Sequence, residues 1–199
     1  GDWSSDVCSS DLVVSLDSTG HERDVCTTDP FENRVLVYQG IGTPNQPHFF
    51  ELVPPKLAAP YKSIVTGCLG GDFNEDGLTD LLVYYWGRSP VFFLRDRTKL
   101  SSQLSNDSFK VTELQPKVER WYTQSMAAAD IDGDGHLDLV IGNYFPDSSW
   151  VLNEPQDGRT IEMNEGAGAA LNGGQNRLFL GKPKSTELFY EVPHFFNDQ

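Results

Sequence analysis

Two short stretches of the chain concentrate carboxylates at a spacing that suits a metal ion. "DIDGDGHLDLVI", residues 130–141, sets four aspartates within nine positions and then turns apolar. "DFNEDGLTDLLV", residues 72–83, has the same layout 58 residues earlier. The shared spacing is D-x-[DN]-x-D-G-x-x-D. Oxygens at alternate positions of a tight loop converge on one point, which suits a hard cation taking about 6 to 8 oxygen ligands. Gly77 and Gly135, at the sixth position, permit the turn that aims the first, third and fifth residues inward. Without a cation these carboxylates repel one another within a few ångströms; with one, each is a ligand.

Other chemistries find little support. An EF-hand needs a bidentate Glu at position twelve and flanking helices, whereas that position holds Val83 in one loop and Ile141 in the other, both inside strand-like runs. No G-x-S-x-G elbow, H-E-x-x-H pair or phosphate-cradling glycine loop occurs. His21, His48, His136 and His194 share no spacing, and the "HFF" at His48 and again at His194 reads as a repeated strand position. We therefore expect no catalytic residues and no organic cofactor. Trp86, Trp121 and Trp150, near loop ends, are candidates for lining a sugar or peptide site.

The elements that must hold these loops are strands. Short runs of Val, Ile, Leu, Phe and Tyr between turn residues predict strands at 34–38, 48–53, 63–69, 79–85, 91–95, 109–114, 124–129, 137–143, 177–180 and 188–192. Segments 98–105 and 162–171 have room for a short helical turn. A small-residue strand ("SIVTGCLGG", "QSMAAA") precedes each acidic loop and an apolar strand ("LTDLLVYY", "HLDLVIGNY") follows it. Third ("SPVFFLRD", "NRLFLGK") and fourth ("FKVTEL", "LFYEV") strands close each unit, and "NRVLVYQG…HFFELVPP" matches the last two strands of another. Repeated four-stranded antiparallel units are the signature of propeller blades. The expected fold is all-β: an incomplete β-propeller arc of about two and a half to three blades, with further blades missing. The half blade spans 31–55 and the whole blades 60–115 and 120–193, the last with a Gly- and Asn-rich insertion at 147–175.

Composition sets outer bounds. A net charge of −14 argues against a nucleic-acid partner, and seven aspartates are clustered in the two loops. No window approaches the ~18 apolar residues of a membrane helix, so this segment is not expected to insert in a bilayer. "GDWSSDVCSSDL", residues 1–12, resembles a translated sequencing adapter and is set aside as non-native, with 13–30 expected to be irregular. Cys26 and Cys68 show no CxxC spacing; the sequence leaves open both a buried free Cys68 and a Cys26–Cys68 disulfide.

Small strand, DxDxDGxxD loop, apolar strand and "NRLFL" strand together resemble the FG-GAP (VCBS-type) repeats of integrin-like β-propellers, over about residues 31–198. That resemblance implies one Ca²⁺ per loop, hence two sites. The implied ligands are Asp72, Asn74, Asp76, the Leu78 carbonyl and Asp80, then Asp130, Asp132, Asp134, the His136 carbonyl and Asp138. Asn74 keeps a ligand oxygen but removes a charge, which predicts weaker binding in the first loop. The resemblance further implies an extracellular, cell-envelope or periplasmic module for binding or adhesion, with a protein or glycan as partner. The alternative is an accessory or substrate-binding propeller of a larger secreted enzyme.

Overall fold

The computed structural model describes residues 12–16, 24–40, 48–57, 62–101, 103–147, 149–152 and 173–196. The strands are β1 (Leu12–Val14), β2 (Asp24–Asp29), β3 (Arg34–Gln39) and β4 (His48–Leu52) in a first sheet. A second holds β5 (Ile64–Gly71), β6 (Asp80–Trp86), β7 (Val91–Arg95) and β8 (Phe109–Glu113). A third holds β9 (Thr123–Ala129), β10 (Asp138–Asn143), β11 (Arg177–Gly181) and β12 (Phe189–Glu191). Each sheet is antiparallel, with its strands side by side in chain order. The protein is an all-β arc of propeller-type blades.

The front of the chain corrects the sequence-based picture. A full four-stranded sheet replaces the expected half blade, and β2 forms within the stretch expected to be irregular. Leu12, the last residue of the segment set aside, pairs with Cys26 across β1 and β2. The inward face of β2 carries Asp24, Cys26 and Thr28, all buried, with no aliphatic residue to mark it as a strand. Near the expected helical turn at 98–105, a 3₁₀ turn at Arg97–Lys99 is capped by the Asp96 carboxylate, which accepts from the Thr98 amide at 2.9 Å. A second 3₁₀ turn covers Asn106–Ser108. The turn expected at 162–171 and most of the 147–175 insertion lie outside the described residues.

The middle sheet is buried on both faces. Leu81, Val83 and Tyr85 of β6 join the core shared with Val35, Val37 and Leu52 of the first sheet. Leu82 of β6 and Phe92 of β7 join the core shared with Trp121, Leu139, Ile141 and Phe179 of the third. A strand covered on both sides reads as a continuous apolar run rather than an alternation, as "DLLVYYW" does. The innermost strands crowd together where blades converge. A Cβ on Gly70 of β5 would lie 2.7 Å from Val14 Cγ1, so only glycine admits the first sheet that closely.

Cys26 of β2 and Cys68 of β5 form a disulfide, 42 residues apart in sequence, that ties the first two blades together. Closing a loop of that length should contribute about 4 kcal/mol by restricting the unfolded chain. Urea unfolding with and without reductant should show that difference. Alkylation of both thiols in the untreated protein would refute the pairing. Among the described residues, no helix is long and apolar enough to cross a membrane.

Candidate functional site

Each acidic loop joins the innermost strand of a blade to its neighbour: 72–79 between β5 and β6, 130–137 between β9 and β10. The carboxylate at position one organises each turn. Asp72 accepts from the amides of Asp76 (2.9 Å) and Gly77 (2.8 Å). Asp130 accepts from those of Gly133 (2.8 Å) and Gly135 (3.0 Å). Position five closes the turn, Asp76 accepting from the Leu78 amide and Asp134 from that of His136, both at 2.9 Å. The turn shape the two loops share needs positive φ at position six, where Gly77 sits at +82° and Gly135 at +89°. Position four is also left-handed, filled by Gly133 in one loop and by the less accommodating Glu75 (φ +54°) in the other.

The ninth residue does more than close a cage. Asp80 is fully buried and accepts the Phe73 amide at 3.1 Å and the Arg95 amide at 2.7 Å. Asp138, equally buried, accepts those of Ile131 (2.8 Å) and Gly181 (2.9 Å). Each carboxylate thus clasps the end of the first strand to the third across the start of the second. The first blade has the same clasp, which sequence reasoning missed. Asp24, 1% exposed, accepts from the Leu16 amide (2.8 Å) and the Gly40 amide (2.9 Å). Its signal was faint because Ser15 stands where Asp72 and Asp130 stand, and the spacing to Asp24 is one residue longer.

The two loops differ in how far their donors converge. Ligand atoms of Asp130, Asp132 and Asp138 all lie within 4.8 Å of one another, the one such grouping of acidic, His or Cys side chains among the described residues. Asp134 stands outside that trio. At that separation each pair of charges repels by about 1 kcal/mol at the dielectric of water and about 3.5 kcal/mol at an effective value of ~20. Asp130 and Asp132 are exposed, so the lower figure governs their pair. In the first loop Asn74 stands where Asp132 does, and its amide donates to Asp76 at 3.3 Å. Arg97 Nε lies 3.8 Å from the same Asp76 carboxylate, so part of that loop's charge is already met by a side chain.

Electrostatics follow from this packing. Burial pushes the Asp80 carboxyl up to about 7; the nearby charges of Asp76 and Asp72 add to that, while the Arg95 and Phe73 amides oppose it. A bound cation reverses such a balance by favouring the ionised form. Burial lowers the Arg95 guanidinium, against the pull of Asp80, Asp24 and Asp76. The hydrogen bond to Glu75 holds the His136 imidazole above its ordinary range.

The aromatic candidates divide. Trp121 is fully buried, and Trp86 packs against Tyr122, Tyr144 and Phe145, so both are structural. Trp150 has the Arg120 guanidinium 3.7 Å above its ring. His48, at the start of β4, bonds to the Leu104 carbonyl and to Gln103, each at 2.9 Å.

Residues 72–141, running from the first aspartate of one acidic loop to the strand after the other, match the FG-GAP-like repeat family model. A comparison with curated proteins finds none that matches the chain.

Proposed function

We propose that the FG-GAP-like repeat makes this chain a calcium-stabilised β-propeller module that serves binding or adhesion outside the cytoplasm. The convergence of Asp130, Asp132 and Asp138 at the head of β10 carries the reading. The donors are all oxygens and include two exposed carboxylates and one buried one, a set that suits Ca²⁺ rather than a softer metal. Asp130, Asp132, Asp134, the His136 carbonyl and Asp138 would hold one ion. Asp72, Asn74, Asp76, the Leu78 carbonyl and Asp80 would hold another. When bound, the ion supplies charge neutralisation, while the chain itself supplies the turn and the clasp.

The inter-blade disulfide supports an oxidising compartment, where calcium is also abundant. A place for a partner lies at the far end of the strands from the acidic loops. There a cavity of about 470 Å³ is lined by Lys56, Lys117, Arg120, Glu119 and Asp147. Asp147 is paired with Arg177, and Glu119 accepts from the Trp121 indole. Three basic side chains against two acidic ones leave the cavity net basic in an otherwise acidic chain, and we place the protein or glycan ligand there.

Calcium must raise the melting temperature over a chelator, by mass action worth about 2.7 kcal/mol at a hundredfold excess over Kd. Absence of any shift would sink the metal reading. Calorimetric titration should find the second loop tighter than the first. Asn74→Asp should tighten the first loop and Asp132→Asn weaken the second, each by roughly tenfold, with charge count setting the order. The reverse ranking would refute it.

A further inference from the structure

Resting on the cation reading of the loops, we propose that Glu75 couples them, so that filling one raises the affinity of the other. Glu75 is the fourth residue of the first loop, and its Oε1 is hydrogen-bonded to Nδ1 of His136, the seventh residue of the second. Its other carboxylate oxygen faces Lys184 Nζ at 3.9 Å, on the turn between β11 and β12. One side chain of the middle blade therefore reaches two turns of the third. Glu75 and His136 are both partly shielded, with side-chain exposures of 29% and 38%.

The path between the loops is short and built from rigid parts. Glu75 has a left-handed backbone in a turn whose next three amides, those of Asp76, Gly77 and Leu78, are committed to Asp72, Asn74 and Asp76. Ordering those carboxylates fixes the direction in which Glu75 leaves the loop. At the other end, the His136 amide donates to Asp134 at 2.9 Å, and the His136 carbonyl is one of the proposed ligands. A loop whose seventh residue is already held loses less freedom on closing around an ion, which gives positive coupling without any new contact. Coupling of this kind is reciprocal by thermodynamic necessity. Neither acidic loop needs Glu75 as a ligand: position four carries no ligand in the D-x-[DN]-x-D-G-x-x-D spacing, and the second loop has Gly133 there. Glu75 is a positioning residue.

The test is calorimetric titration of the full chain with CaCl₂ at one fixed pH, the fold of each variant checked by melting in chelator. Asp76→Ala disables the first loop and Asp132→Ala the second. Each should lower the affinity of the remaining loop by the same factor, about fivefold or more. With Glu75→Ala added, both factors should fall to one, and Glu75→Gln, which can still accept from the imidazole, should restore part of them. As a second readout, calcium added to Asp132→Ala should shift the His136 ring resonances, and should not do so when Glu75→Ala is present. Unchanged affinity of one loop when the other is disabled would overturn the coupling while leaving two independent calcium sites. So would a factor that persists without Glu75. Absence of calcium binding at either loop would overturn the cation reading and the coupling with it.

Discussion

Asp138→Ala is expected to cost about 3–4 kcal/mol of folding stability in chelator, where Asp132→Ala costs little. The difference comes from what each carboxylate holds. Asp132 is exposed and accepts a single amide, that of Asp134, within its own turn. Asp138 is fully buried and accepts two amides, Ile131 and Gly181, from segments 50 residues apart in the chain. Alanine leaves both donors without a partner, at about 1–3 kcal/mol each, more where the lost acceptor was charged. Asp24→Ala supplies a control, because Asp24 makes the same two bonds in a blade without the D-x-[DN]-x-D-G spacing. Its loss should match that of Asp138→Ala in chelator and stay unchanged on adding calcium, while the Asp132→Ala deficit should open only with calcium present. Urea unfolding of the three variants, with CaCl₂ and with EDTA, reads all of this. If Asp138→Ala were as stable as wild type in EDTA, the clasp would be only a ligand and the structural role would fall.

The clasp also explains what was legible in the sequence. Strands such as β6 and β7 declare themselves, because both faces of "DLLVYYW" and "VFFLR" are buried and their residues are apolar. The acidic loops declare themselves through spacing, since a tight turn puts ligands at fixed intervals. Strand β2 does not, because its buried face is Asp24, Cys26 and Thr28, held by hydrogen bonds and a disulfide more than by apolar area. Asp24 could be recognised only by its partners, and those lie in Leu16 and Gly40, on either side of it in the chain. Contacts between blades are equally invisible in sequence. The bond from Glu75 to His136 spans 61 residues and depends on how adjacent blades are set around the arc. Trp121 looked like a loop-end aromatic because "VERWYTQ" has no apolar run before it, yet it precedes the innermost strand of a blade and is enclosed by two sheets.

That enclosure makes Trp121→Ala the most damaging single change, with an expected loss of about 4–5 kcal/mol. The indole lies in the core between the second and third blades, with Leu82 and Phe92 from one and Leu139, Ile141 and Phe179 from the other. Its ring is 6.0 Å from that of Phe179, and the Arg177 guanidinium sits 4.1 Å above it. The indole N–H donates to Glu119 at 2.9 Å, so the polar edge is satisfied while the rest is buried. Alanine opens a cavity the two sheets cannot close, because each is pinned by its own ladder, and it strips Arg177 of one face. Arg177 is itself buried and bound to Asp147 and Glu191, so losing the ring leaves an ion cluster less shielded from water. Trp121→Phe keeps most of the apolar volume and gives up the bond to Glu119, which should cost about 1–2 kcal/mol. Since a domain of this size is stable by only about 5–15 kcal/mol, the alanine variant should unfold at markedly lower urea. The slope of that transition decides what the wedge does. An unchanged m value means the blades melt together, as expected for sheets sharing a core on each side of the middle blade. A lower m value, with calcium still bound at the first loop, would mean that the third blade separates alone and that Trp121 secures one blade rather than the arc.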